Sequence, residues 1–156
     1  GRIKADSVCD DTICLTDLMA TAAEIVGCML PDNAGEDSVS VLRDFPETAS
    51  GSARQAIVHH SVNGSFSIRQ GPWKLVFCAG SGGWSNPRPN SDTAKKLPPI
   101  QLYDLNKDIG ETTNVQDKHP EVVERLTALM ERYIEQGRST PGTPQKNNGS
   151  VNLYPK

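Results

Sequence analysis

Between Ala56 and Phe77 the chain reads AIVHHSVNGSFSIRQGPWKLVF, and no other stretch limits the fold as tightly. β-Branched and aromatic residues concentrate on both sides of Asn63-Gly64, a dipeptide that supplies the positive φ angles of a two-residue type I′ turn. Gln70-Gly71-Pro72 interrupts the second run before Trp73-Lys74-Leu75-Val76-Phe77 starts a third. A three-stranded antiparallel meander follows. With Asn63-Gly64 as the turn, Val62 faces Ser65, His60 faces Ser67, His59 faces Ile68 and Val58 faces Arg69. Alternation then puts Ile57, His59, Ser61, Phe66 and Ile68 on a core face, and Val58, His60, Val62, Ser67 and Arg69 on a mixed one. His59 is therefore expected to be structural and half-buried, with His60 and Arg69 facing a ligand. A slip of one residue would exchange the two histidines.

Upstream, Thr16 or Asp17 caps a helix that runs to about Val26, with Leu18, Ala22, Ile25 and Val26 on one face and Gly27 just past its end. So short a helix needs a partner surface. DNAGED, from Asp32 to Asp37, is either a Ca²⁺-binding loop or a solvated turn; an EF-hand's spacing of donors is missing. Ser38 to Arg43 is short and either helical or extended, and Phe45 to Ala53 is a small-residue linker at which a domain boundary is placed.

Downstream, the 21 residues from Ala79 to Pro99 carry no periodicity. Loops of this length are either floppy insertions or functional segments. Trp84, set among glycines and prolines, is a candidate to stack on a sugar or planar ligand. Ile100 to Leu105 reads as a fourth strand. His119-Pro120 opens the strongest helix, with Val122, Leu126, Leu129 and Tyr133 in one stripe, Val123, Met130 and Ile134 widening it, and Gly137 as the stop. Such a face covers a four-stranded sheet, which gives an α+β architecture. The polar tail after Arg138 is either disordered or docked on a surface outside this chain.

Composition narrows the function. A net charge of −3 without a basic stripe argues against a nucleic-acid partner, and no apolar run is long enough to span a membrane. The four cysteines, Cys9, Cys14, Cys28 and Cys78, form no Cys-x-x-Cys pair and are expected to be small buried hydrophobes, the alternative being a Cys9–Cys14 bond that closes a loop in an exported protein. Ser61 beside His60 on a strand points to the opposite face, so the two cannot act as a nucleophile and its base. No nucleophile elbow or phosphate loop occurs. The residues alone present no complete active site.

Six strings in order nevertheless resemble the C-terminal end of a formylglycine-dependent (type I) sulfatase of the arylsulfatase and N-acetylgalactosamine-6-sulfatase kind. They are Gly1-Arg2-Ile3-Lys4 leading to Cys14-Leu15-Thr16-Asp17-Leu18-Met19-Ala20-Thr21; Ala34-Gly35-Glu36-Asp37-Ser38; His59-His60-Ser61; Phe66-Ser67-Ile68-Arg69; Gly71-Pro72-Trp73-Lys74-Leu75; and Leu102-Tyr103-Asp104-Leu105 with Gly110-Glu111-Thr112-Thr113-Asn114. The resemblance implies that residues 1–45 end a large α/β, alkaline-phosphatase-like catalytic domain. It implies that 46–138 form the C-terminal subdomain, a four-stranded antiparallel sheet packed on a long helix, and that 139–156 are a polar tail. It further implies hydrolysis of aryl or sugar sulfates by the intact protein, in the periplasm or outside the cell. The family's nucleophile sits in a Cys/Ser-x-Pro-x-Arg motif that this chain lacks. Formylglycine and Ca²⁺ are therefore expected in an N-terminal catalytic domain, the partner of this chain, and no catalytic or metal residue is assigned here. The loop from Ala79 to Pro99 is expected to border the substrate mouth, with His60, Arg69 and Trp84 as substrate-binding candidates for a sulfated small molecule or glycan. The alternative is a non-catalytic carbohydrate-binding or interaction module. Incubated alone with an aryl sulfate, the chain should release no sulfate and should bind Ca²⁺ only weakly; turnover would refute this reading.

Overall fold

The computed structural model describes residues 5–6, 8–42 and 54–154. The Phe45–Ala53 linker lies outside them, as does most of the Gly1–Val8 segment. In chain order the elements are α1 (Asp17–Ile25), β1 (Ile57–His60), β2 (Phe66–Gln70), β3 (Trp73–Val76), β4 (Gln101–Asp104) and α2 (Pro120–Gln136). They fall into two compact units, Gly1–Ile57 with Tyr133–Asn147, and Val58–Arg132 with Asn148–Lys156.

The second unit is the sheet and most of α2. Strand order is β1-β2-β3-β4, and the antiparallel register aligns residues in rows across β2, β3 and β4. Ile68, Leu75 and Leu102 form one row and Gln70, Trp73 and Asp104 the next, both on one face. Ser67, Val76 and Gln101, then Arg69, Lys74 and Tyr103, form the rows of the other face. Ile68, Leu75 and Leu102 are fully buried, as is Leu126 of α2, with Val122, Leu129 and Met130 nearly so. Two contacts fix α2 on that side: Arg125 donates to the Gln70 amide oxygen, and the ring preceding the helix, His119, lies 4.8 Å from Trp73. The free edge of β4 is covered by the chain that returns to α2. Val115 N–H donates to Leu102 O at 2.9 Å, and the Asn114 side chain accepts from Leu102 N–H at 3.0 Å, so both ladder groups of Leu102 on that edge are paired.

The first hairpin departs from expectation. Ser61 N–H bonds Ser65 O and Gly64 N–H bonds Ser61 O, so three residues, not two, make the turn, with Gly64 at a φ of 83°. Asn63 does not enter the left-handed region; its side chain instead accepts from Ser65 N–H at 3.0 Å. A local side-chain bond of this kind competes with the two-residue geometry. The two-residue turn of the sheet is at Gly71-Pro72, where Gly71 has a φ of 55° and Gln70 pairs with Trp73. Counting outward from Ser61–Ser65, His60 comes opposite Phe66, the two rings meeting edge-on at 6.2 Å, and His59 comes opposite Ser67. His59 therefore shares a row with Ser67 and is exposed, not half-buried, and His60 is exposed as well.

The first unit is organised by Asp17. Its carboxylate, 1% exposed, pairs with the buried Arg54 guanidinium and accepts from Cys14 N–H at 2.9 Å and Val39 N–H at 3.0 Å. Thr21, one turn on, accepts from Val41 N–H at 3.1 Å. The polar face of α1 is therefore its bound face, and Leu18, Ile25 and Val26 stand exposed. The tail is ordered where the sequence left it open. Buried Arg138 donates to Asp32 at 3.0 Å and to Thr143 O at 2.9 Å, while Thr140 and Ser139 bond Glu36 and Asp37. The Asp32 and Asp37 carboxylates and the Glu36 carbonyl of the 32–37 turn thus accept from residues 138–143. Gly137 has a φ of 61° and no room for a Cβ beside Gln145 O, so the helix stop is also a packing requirement. The cysteines correct another expectation. All are free thiols, with Cys9 and Cys28 exposed and Cys14 and Cys78 half-buried.

Burial pushes the Asp17 carboxyl up, but the Arg54 bond and the Cys14 and Val39 amides together hold it below the usual value. That stability is fully present above the unfolded carboxyl's pKa of about 3.9. It is lost as pH falls through the lower folded value. Asp17→Asn should destabilise the chain by ~3–5 kcal/mol at neutral pH, since it leaves Arg54 buried without its counter-charge, and should flatten the acid limb of the stability profile. Leu126→Ala should cost about 2–5 kcal/mol in urea denaturation.

Candidate functional site

The polar face of the sheet is the floor of a groove of about 810 Å³ formed entirely within the second unit. Strand alternation supplies the floor: Ser67 from β2, Lys74 and Val76 from β3, and Gln101 and Tyr103 from β4. One wall is the hairpin with His59, His60 and Ser61; another is the glycine-rich segment through Gly82 and Ser85; a third is the 110–117 segment.

Hydrogen bonds hold these walls in place. Gln101 Nε2 donates to Cys78 O at 2.8 Å and to Gly80 O at 2.7 Å, which ties the start of the long loop to β4. Its Oε1 accepts from the Tyr103 hydroxyl at 2.7 Å. Ser81 N–H reaches Pro87 O at 3.0 Å and the Ser81 hydroxyl reaches Ser85 O at 2.7 Å, so the loop is internally bonded. Opposite, Asp108 accepts from the N–H groups of Thr112 and Thr113 at 2.7 and 2.8 Å. The Thr113 and Thr112 bonds hold its carboxyl below the usual range. The turn it caps delivers Glu111, at a φ of 53°, to Lys74, and their charged atoms meet at 2.6 Å. Burial, then the Glu111 charge, pushes the Tyr103 phenol above its ordinary value. The site is a partly desolvated set of hydroxyls and amides around one ion pair. It can donate to and accept from a polar ligand, but among the described residues no group of three His, Cys, Asp or Glu side chains could hold a metal.

Of the residues expected from sequence to face a ligand, His60 lines the groove, with Nδ1 3.1 Å from Ser61 O. Arg69 lies in the row of Lys74 and Tyr103 but outside the lining, and its Nε donates to Gly71 O at 3.1 Å. Trp84 is 81% exposed, between the groove residues Gly82 and Ser85. The structure adds His59, Lys74, Gln101, Tyr103 and Glu111. Lys74 and Tyr103 were accessible from alternation, since each is the immediate neighbour of a core leucine, Leu75 or Leu102. Glu111 was not, because a loop with a positive φ at a non-glycine residue leaves no periodic trace. Glu111→Gln should lower the Tyr103 phenol pKa without restoring it fully, because burial remains; an NMR titration of the ring reads both values.

Residues 52–155 match the family described as the C-terminal region of aryl-sulfatase. The chain is 31% identical over 123 residues to an N-acetylgalactosamine-6-O-sulfatase of Bacteroides thetaiotaomicron, covering 74% of this chain and 22% of that protein. A solved structure from work on glycosaminoglycan metabolism by the same organism superposes with a TM-score of 0.57 at 30% identity, over 74% of this chain and 24% of the other. A second, of a protein with its substrate D-glucosamine-2-N,6-O-disulfate, superposes with a TM-score of 0.53 at 19% identity, over 74% and 22% of the two chains. It shares the fold. This chain thus spans less than a quarter of the length of each of these three proteins. The chain belongs to the sulfatase family, of which it carries the C-terminal region.

Proposed function

We propose that the intact protein hydrolyses sulfate esters, aryl or sugar sulfates, and that this chain supplies packing and part of the substrate mouth but not the nucleophile. Membership of the family over residues 52–155 carries the reading. Two features of the molecule support it. On α1 and the residues flanking it, Leu15, Leu18, Ile25 and Val26 are each more than half exposed. An apolar patch of that kind marks an interaction surface, and its occupant in this reading is the protein's own N-terminal catalytic domain. The second feature is the polar groove, whose hydroxyls and amides suit a sugar. His60 at its wall, Arg69 at the end of its floor and Trp84 on its loop are the proposed substrate contacts.

Formylglycine and Ca²⁺ belong to the catalytic domain in this reading. The sequence carries no Cys/Ser-x-Pro-x-Arg motif, and among the described residues no group of three His, Cys, Asp or Glu side chains could hold a metal. What this chain does is hold and orient the sugar, by hydrogen bonds whose value depends on water being kept out of the groove. The relative that is an N-acetylgalactosamine-6-O-sulfatase points to a sugar 6-sulfate as the first substrate to try. A periplasmic or extracellular setting completes the proposal.

The test is to express the whole reading frame and assay sulfate release from an N-acetylhexosamine 6-sulfate. Turnover is expected, lost on chelation of Ca²⁺ and on replacing the Cys or Ser of an upstream Cys/Ser-x-Pro-x-Arg motif. His60→Ala should raise KM by about tenfold, the equivalent of one polar contact. A reading frame that starts near Gly1, with no such motif, would decide against the enzyme and leave the non-catalytic carbohydrate-binding or interaction module.

A further inference from the structure

The groove has a charge balance that its relation to sulfated substrates does not suggest. Lys74 is the only Lys or Arg side chain among the described residues that line it, and Glu111 neutralises it at 2.6 Å. Asp117 adds a further carboxylate to the lining. Arg69, the next cation along the floor, is not among the residues that line the groove. A second sulfate or a uronate carboxylate seated here would meet no uncompensated Lys or Arg, and desolvating an anion without one is strongly unfavourable.

What the groove does offer is neutral hydrogen bonding. Ser67 presents a hydroxyl, the Gln101 and Tyr103 oxygens keep lone pairs beyond the bond between them, and Lys74 retains donors beyond the one given to Glu111. Ser65 Oγ, on the same wall, is buried and pairs with no other group among the described residues; such a group calls for a partner. The volume falls within the roughly 300–1,000 Å³ of small-molecule sites. An ion pair with spare donors and acceptors matches a vicinal diol or an acetamido group, which donates and accepts at adjacent atoms.

From this we infer that the groove is a subsite for an uncharged part of the substrate, the hydroxyl and N-acetyl groups of a hexosamine ring, with Lys74, Glu111 and Tyr103 determining specificity. The inference rests on the proposed sulfatase function for its biological setting, but it makes a binding claim about this chain that stands or falls separately. The sulfate ester to be cleaved points away from the groove, and substrates bearing a second anionic group on the same ring are disfavoured.

The test is an amide-resonance titration of the 156-residue chain with a neutral N-acetylhexosamine, a disulfated hexosamine and inorganic sulfate. The neutral sugar should shift Ser67, Lys74 and Gln101 with an affinity indifferent to salt, and should bind more tightly than the other two probes. Lys74→Met and Tyr103→Phe should each weaken it by about tenfold. Tyr103→Phe changes no charge and removes one hydroxyl, so it remains decisive if loss of the ion pair unfolds the chain. Tighter binding of inorganic sulfate or the disulfated sugar at these residues, with a salt-dependent affinity, would overturn the inference. So would the absence of any groove shift with the neutral sugar, or shifts unchanged in both variants. Turnover by the whole reading frame is read independently, so failure of the subsite leaves the sulfatase reading intact, and the reverse also holds.

Discussion

Everything in the second unit depends on the pleat of β2, β3 and β4 and on the register that aligns them. Side chains on a strand alternate between faces, so one register decides at once that Ile68, Leu75 and Leu102 go under α2 and that Ser67, Lys74, Gln101 and Tyr103 go into the groove. The two outcomes cannot be varied separately. A slip of one residue would place a lysine against Leu126 and a leucine in the groove. The buried row therefore protects the polar one: the free energy of covering those leucines with the helix holds the groove floor in place.

The first unit shows the opposite economy of surface. Periodicity identifies the ends of α1 and its apolar face correctly, but the structure covers the other face. Asp17 and Thr21 point inward because Arg54 and the 38–41 segment give them partners, and a buried carboxylate persists only where such partners exist. The exposed Leu18 and Val26 then follow from the same geometry: with the polar side bound, the apolar side has nothing within the described residues to cover it.

Much of the architecture was legible because it is periodic. Val122, Leu126, Leu129 and Tyr133 announce α2, Gly137 announces its end, and the fourth strand follows from Leu102 and Tyr103. The failures share a cause as well. The hairpin turn is decided by whether the Asn63 side chain bonds Ser65 N–H, a local competition worth about 1 kcal/mol, and that small difference moved His59 onto the groove side. The cysteines were read by their usual burial, which depends on tertiary surroundings that composition does not contain. Glu111 and the tail clasp on Asp32 depend on contacts between segments 37 and 106 residues apart in sequence.

In the arrangement we propose, this chain meets a substrate that another part of the protein transforms. Hydrogen–deuterium exchange on the protein encoded by the whole reading frame, with and without a sugar sulfate, tests that arrangement most directly. The account predicts ligand-dependent protection of peptides covering His59–Ser67 and Gln101–Thr112. Protection confined to peptides outside this chain, with both of these unchanged under saturating ligand, would contradict it.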